Sequence, residues 1–184
     1  EIKEASLNNF AVDDDVFESG KSLVALTYGL HNLEEGKLDQ TTLLIGVHGS
    51  NSRGYEWVYP LQRLNQDENL VSFYRWNDNS CPGPSVTSLH SLIKTKLEDS
   101  PNINKVIIVG HSYGGLLVAS FAGEWDFDIS LEAHSVAGPL KGMEMLNRAC
   151  NYQVPTSIGS DIKFYQWRTI KELDGAFKDL DYDT

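Results

Sequence analysis

Apolar residues along the chain fall into short runs, separated by turn residues and by stretches with helical spacing. Residues 41–47 (T-T-L-L-I-G-V) and 105–109 (K-V-I-I-V) are nearly continuous apolar runs rich in Leu and β-branched side chains, the pattern of buried strands. Residues 70–76 alternate and carry aromatics. Residues 129–137 and 162–168 read as two later strands, and 23–30 as an early one. Between them, Val86, Leu89, Ile93 and Leu97 recur three and four apart, so 85–97 reads as a helix with Pro84 at its start. Residues 57–65, 116–122 and 142–149 read as three further helices. This alternation predicts the α/β class, with a mainly parallel sheet and helices on both faces. A single domain is expected over 1–184, with 1–20 as an N-terminal extension free to be irregular.

Candidate chemistry sits at the ends of the two clearest strands. Gly110-His111-Ser112-Tyr113-Gly114 follows the 105–109 run directly and precedes a helical pattern, which is G-x-S-x-G in a strand–turn–helix context. Such a turn is too sharp for side chains two before and two after the serine, so Gly110 and Gly114 suit it. The Ser112 hydroxyl would stand at the carboxyl end of the sheet, and the helix behind it would aim its amide end at developing negative charge. His48-Gly49-Ser50 ends the 41–47 run. A serine nucleophile needs two backbone amides for its oxyanion, and those of Tyr113 and Ser50 are the candidates, with Gly49 giving the loop its freedom. The His48 side chain is expected to bond neighbouring backbone rather than to accept a proton.

The H-G step after one central strand and G-H-S-Y-G-G after the next resemble the small lipases and esterases of the α/β-hydrolase superfamily, over about residues 41–177. The resemblance implies cleavage of a carboxylic ester or thioester through an acyl-serine, with Ser112 as nucleophile and no metal or organic cofactor. It implies an acid after the 162–168 strand: Asp174 first, Glu172 second and Asp179 third. It also implies a histidine after that acid. The five histidines, His31, His48, His90, His111 and His134, all precede Asp174. His111 is expected to turn into the structure and His134 to lie inside a strand. The expected base therefore lies beyond Thr184, together with a last strand and a final helix. The alternatives are a non-standard base such as His134, a non-catalytic binding protein on a hydrolase scaffold, or an acyltransferase using the same acyl-enzyme.

Composition narrows the partners. With 15 Lys+Arg against 26 Asp+Glu, the formal charge is −11, which excludes a nucleic-acid phosphate partner and disfavours anionic lipid. No apolar run reaches the roughly 20 residues that cross a membrane, so the expected partner is a small ester or lipid-like molecule without stable membrane insertion. Cys81 and Cys150 have neither zinc-ligand nor C-x-x-C spacing, and leave one disulfide or two free thiols open. The aromatics of 51–59 and 73–76 either line an acyl pocket or fill the core. Arg53 and Arg75 either meet a charged substrate group or pair with carboxylates. Only 81–85 and 151–160 offer long loops, so an exposed site for small or soluble esters is expected. The two cysteines, the first residue Glu1 and the resemblance together favour a periplasmic or secreted location. The acidic stretches 13–15 and 179–184 are expected to be solvated.

Overall fold

A strand that is apolar on both faces must lie where both faces are covered, and the two continuous apolar runs occupy the middle of the sheet. The computed structural model describes residues 5–10, 15–36 and 39–182. Its strands are β1 (Gly29–Asn32), β2 (Thr42–Val47), β3 (Asn69–Arg75), β4 (Lys105–His111), β5 (Ser130–Val136) and β6 (Ile162–Trp167). They form one sheet in the order β1-β3-β2-β4-β5-β6. β1 runs antiparallel to β3, and every other pairing is parallel. Val47 is in register with Gly110, and His111 with Val136. The carboxyl ends of β2, β4 and β5 therefore finish side by side.

The helices are α1 (Val16–Val24), α2 (Tyr55–Leu64), α3 (Pro82–Asp99), α4 (Tyr113–Gly123) and α5 (Glu144–Ala149). One core joins α3 and α4 to Leu43, Ile45, Val106, Ile108, Leu131 and Ala133. A second core joins α1 and α2 to Leu44, Val71 and Phe73 on the opposite face. The expected α/β class, mainly parallel and covered on both sides, is what the chain adopts.

The expected strand at 23–30 is not formed. Ser19, Gly20 and Leu23 have helical spacing and are buried, so α1 runs to Val24 and only Gly29 opens a strand. A short apolar run cannot by itself tell helix from strand, and here the packing partner α2 decides. The helix expected from Ser85 begins earlier, at Pro82, the first helical position, where a missing N–H costs nothing. Cys81 and Cys150 are joined as a disulfide, with Cα atoms 5.4 Å apart. Of the acidic stretches, Asp15 and Asp179 are exposed, whereas Asp13, Asp14 and residues 183–184 lie outside the described residues.

On the α1/α2 face, β5 and β6 present Glu132, His134, Tyr165 and Trp167, and no helix among the described residues packs over them. Tyr165 is 42% and Trp167 56% exposed.

Where α1 crosses α2 the two backbones touch. A Cβ on Gly20 would fall 2.6 Å from Tyr55 Cα. Gly20→Val is expected to destabilise the fold by about 1–3 kcal/mol, as overpacking does. The measurement is the urea midpoint, and an unchanged midpoint would show that the crossing is not a tight contact.

Candidate active site

β4 ends at His111 and α4 begins at Tyr113, so one residue makes the whole turn. That residue, Ser112, has φ 54° and ψ −121°, in the left-handed half of the map. For a non-glycine residue this costs on the order of 1–3 kcal/mol and persists only when neighbours over-determine it. The neighbours do so here. Ser112 N–H donates to Val136 O at 2.8 Å, and the Ser112 carbonyl accepts from Gly115 N at 2.8 Å. A Cβ on Gly110 would fall 2.5 Å from the Gly114 carbonyl carbon, and one on Gly114 would fall 2.5 Å from the His48 carbonyl oxygen. A Cβ on Gly49 would fall 3.0 Å from Ser112 Cβ. The three glycines thus let the β2 loop, the Ser112 turn and α4 pack backbone to backbone. Ser112 is half-buried, and its hydroxyl has no hydrogen-bond partner among the described residues.

The loop after β2 carries the second half of the arrangement. Neither the Ser50 nor the Tyr113 amide donates to an acceptor among the described residues, and both residues border the same cavity as Ser112. The next residue, Asn51, has φ 53° and donates its amide to Asp78 Oδ2 at 2.6 Å.

A buried knot holds this loop. His48 is 1% exposed. Its Nε2 faces two donors, Arg75 Nη1 at 2.9 Å and the Trp76 amide at 3.3 Å, so the ring proton is assigned to Nδ1, which donates to Gly49 O at 2.9 Å. Trp76 Nε1 donates to His48 O at 2.9 Å. Arg75 also donates to Val24 O and Trp76 O, and lies 3.7 Å from Asp78 Oδ1. Burial pushes the His48 pKa below its usual value, and the Arg75 charge adds to the effect. Arg75 is therefore turned inward and occupied, not offered to a substrate, while Arg53 is exposed. Burial and the Asp78 charge push the Tyr113 hydroxyl up to about 12, and it donates to Ser80 O at 2.8 Å.

Asp174 sits at the end of a short 3-10 turn after β6. Its Oδ2 accepts from Thr169 Oγ1 at 2.6 Å and its Oδ1 from the Ala176 amide at 2.9 Å. Ala176 and Phe177, just beyond it, line the Ser112 cavity. Glu172 and Asp179 are exposed.

The other histidines are placed as follows. His31 bonds Thr27 O, and His90 pairs with Asp126 at 2.6 Å. His134 lies in β5, where its Nε2 meets Glu132 Oε1 at 3.1 Å and its Nδ1 accepts from Trp167 Nε1 at 3.1 Å, so both ring nitrogens are occupied. His111 is exposed, contrary to the expectation that it turns inward. Strand alternation puts its side chain on the face opposite Gly110, at the open end of the sheet.

The cavity beside Ser112 is about 520 Å³ and mainly apolar. Its far wall comes from residues 139–150, which the sequence reading did not assign to the site. Of the two roles open to the aromatics of 51–59 and 73–76, Trp57, Phe73, Tyr74 and Trp76 take the core, and Tyr55 and Tyr59 are exposed. Met143, Met145 and Leu146, clustered after the strand beside the nucleophile, are the signal that could have marked the wall.

The Ser112 turn thus lies between a central strand and its helix, with an amide-bearing loop after the neighbouring strand. The chain has the α/β fold, with a mainly parallel six-stranded sheet covered by helices on both faces.

No protein-family model matches the chain, and no curated protein does. Among solved structures it is similar to an esterase B from Lactobacillus rhamnosis, at 13% identity over 65% of this chain and 48% of that one, with a TM-score of 0.47. This chain thus spans about half of that esterase's length. It is also similar to a cutinase-like protein from Cryptococcus sp., at 12% identity over 69% of this chain and 76% of that one, TM-score 0.48. A phospholipase/carboxylesterase from Dyadobacter fermentans matches at 12% identity over 82% of this chain and 92% of that one, TM-score 0.48. No helix among the described residues is long and apolar enough to cross a membrane.

His48 is expected to titrate below 6.5 and to show the Nδ1–H tautomer. The unfolded chain then takes up this proton before the folded chain does. Stability is therefore full above about pH 6.5 and falls as pH drops from there towards the folded value. Nitrogen-detected NMR of labelled histidine reads both tautomer and titration, and a ring titrating at 6.5 or above would contradict the burial argument.

Proposed function

We propose that this chain carries the nucleophile, oxyanion amides and acid of a serine hydrolase acting on carboxylic esters or thioesters. The observation that carries the reading is Ser112 itself. It is held in a strained turn with its hydroxyl unbonded, and two undonated amides border the same apolar cavity. Strain of this kind, over-determined by glycines and a hydrogen bond, accumulates at reactive sites.

In this reading Ser112 Oγ attacks the carbonyl carbon and its proton passes to a histidine. The Ser50 and Tyr113 amides receive the oxyanion. The tetrahedral adduct collapses, the alcohol or thiol leaves with that proton, and the acyl-serine is cleaved by water with the histidine as base. Asp174 orients the histidine, and its two hydrogen bonds keep its carboxylate from rotating. The base is drawn from outside the described residues, because four of the five histidines are partnered elsewhere and the His111 ring lies against Gly49 of the β2 loop. The mainly apolar cavity lining, with Asp78 as its one charged group among the described residues, favours neutral, partly apolar esters.

For the full-length protein, Ser112→Ala is expected to lower turnover of a p-nitrophenyl ester by about 10⁶-fold, and unchanged turnover would sink the reading. Asp174→Asn is expected to lower kcat on the order of 10⁴-fold, the loss seen when a triad acid no longer fixes the histidine tautomer. A fluorophosphonate probe is expected to label Ser112, which a binding protein on the same scaffold would not allow.

A further inference from the structure

We infer that the Cys81–Cys150 disulfide is a wall of the acyl site and sets the length of chain the site accepts, an inference that rests on the hydrolase reading. Both cysteines border the cavity that holds Ser112. The bridge joins two stretches of its lining, 78–81 and 143–150.

The Cys81 side is fixed to the body of the fold. Asp78 is held by the Asn51 amide and by Arg75. The Ser80 carbonyl accepts the Tyr113 hydroxyl, and Pro82, which opens α3, is buried. The Cys150 side is α5 and its flanks. No residue of α5 is buried, Met145 is 79% exposed, and Leu146 is its one partly buried contact with the core. Tyr152, just after the cysteine, bonds Leu140 and packs against the core beside Ser120, so the segment is anchored behind α5 while α5 itself is not buried. The disulfide is the covalent cross-link between the C-terminal end of α5 and the 78–81 stretch of the lining.

The lining names the occupant. Pro139, Met143, Leu146, Ala149 and Phe177 present hydrocarbon and thioether, and no cation among the described residues borders the cavity. Asp78 is a bordering negative charge. A neutral, unbranched acyl chain fits this lining, and an anionic one does not. Methionine side chains adapt to such a chain, so length is limited by the tied wall rather than by them.

The experiment uses the full-length protein and p-nitrophenyl esters from acetate to laurate. The readout is the kcat/KM ratio of laurate to acetate, per serine titrated with a fluorophosphonate. Cys81→Ser/Cys150→Ser is expected to raise that ratio about tenfold, the scale on which a pocket wall discriminates chain length. Treatment of the wild type with a trialkylphosphine is expected to raise it likewise. The phosphine takes oxygen from water to become its oxide, and the disulfide gains two electrons and two protons to become two thiols. Ala149→Trp, which fills the cavity with the disulfide intact, is expected to lower the ratio about tenfold. If the double variant does not fold, the phosphine-treated wild type and Ala149→Trp decide. Ratios unchanged in these proteins while Ser112 still labels would overturn this inference alone. If Ser112 does not label and Ser112→Ala keeps full turnover, the hydrolase reading fails and takes this inference with it.

Discussion

Everything at the candidate site depends on three backbone segments meeting with no side chain between them: the loop after β2, the Ser112 turn and the first turn of α4. Gly49, Gly110 and Gly114 make the approach possible, and the hydrogen bond from Ser112 N–H to Val136 O holds it. The strain at Ser112 is of order 1–3 kcal/mol. The helix attached to it buries Leu116, Leu117, Val118 and Phe121 completely, and each such side chain contributes roughly 1.5–3 kcal/mol. Burial outweighs strain several-fold, so α4 cannot retreat to relax the serine. The apolar helix is what keeps the hydroxyl where it is.

The amide-bearing loop depends on a different kind of force. Its anchor is a polar knot sealed under aromatic rings, in which His48 lies 5.8 Å from both Phe73 and Trp76, centre to centre. Arg75 and Asp78 are largely buried and partnered with each other and with His48 and Asn51. Such a group is weak as a source of net stability but unforgiving of change, because removing one member strands the others without water. Geometry, more than stability, is what it confers. The end of β3 and the loop after β2 are locked together just where two amides must point at one spot.

Much of the scaffold could be read from the sequence, and the reasons are physical. The 41–47 and 105–109 runs were clear because a central parallel strand is apolar throughout. The Ser112 turn was clear because its glycines have a steric cause at fixed spacing. The first helix was misread because Leu23 and its neighbours form a run too short to reveal its period without α2. The His48 knot could not be read, since Arg75 and Asp78 look like surface charges until the fold brings them under Trp76. The helix at 142–149 is legible but its place beside the cavity is not, because α5 buries none of its own residues and no apolar face marks which side meets the site. The outward turn of His111 was missed because sequence does not say which side of a strand end remains open.

The pairing of Cys81 with Cys150 also has a topological meaning. The two residues are 69 positions apart, and the covalent loop they close contains α3, β4, the Ser112 turn, α4, β5 and α5. In the chain-entropy picture, closing a loop of that size removes about 4 kcal/mol of conformational freedom from the unfolded chain. Ser112 and the central strand that presents it thus belong to one ring. An oxidising compartment favours their return to the native arrangement by restricting the disordered state, before any contact in the folded state is counted.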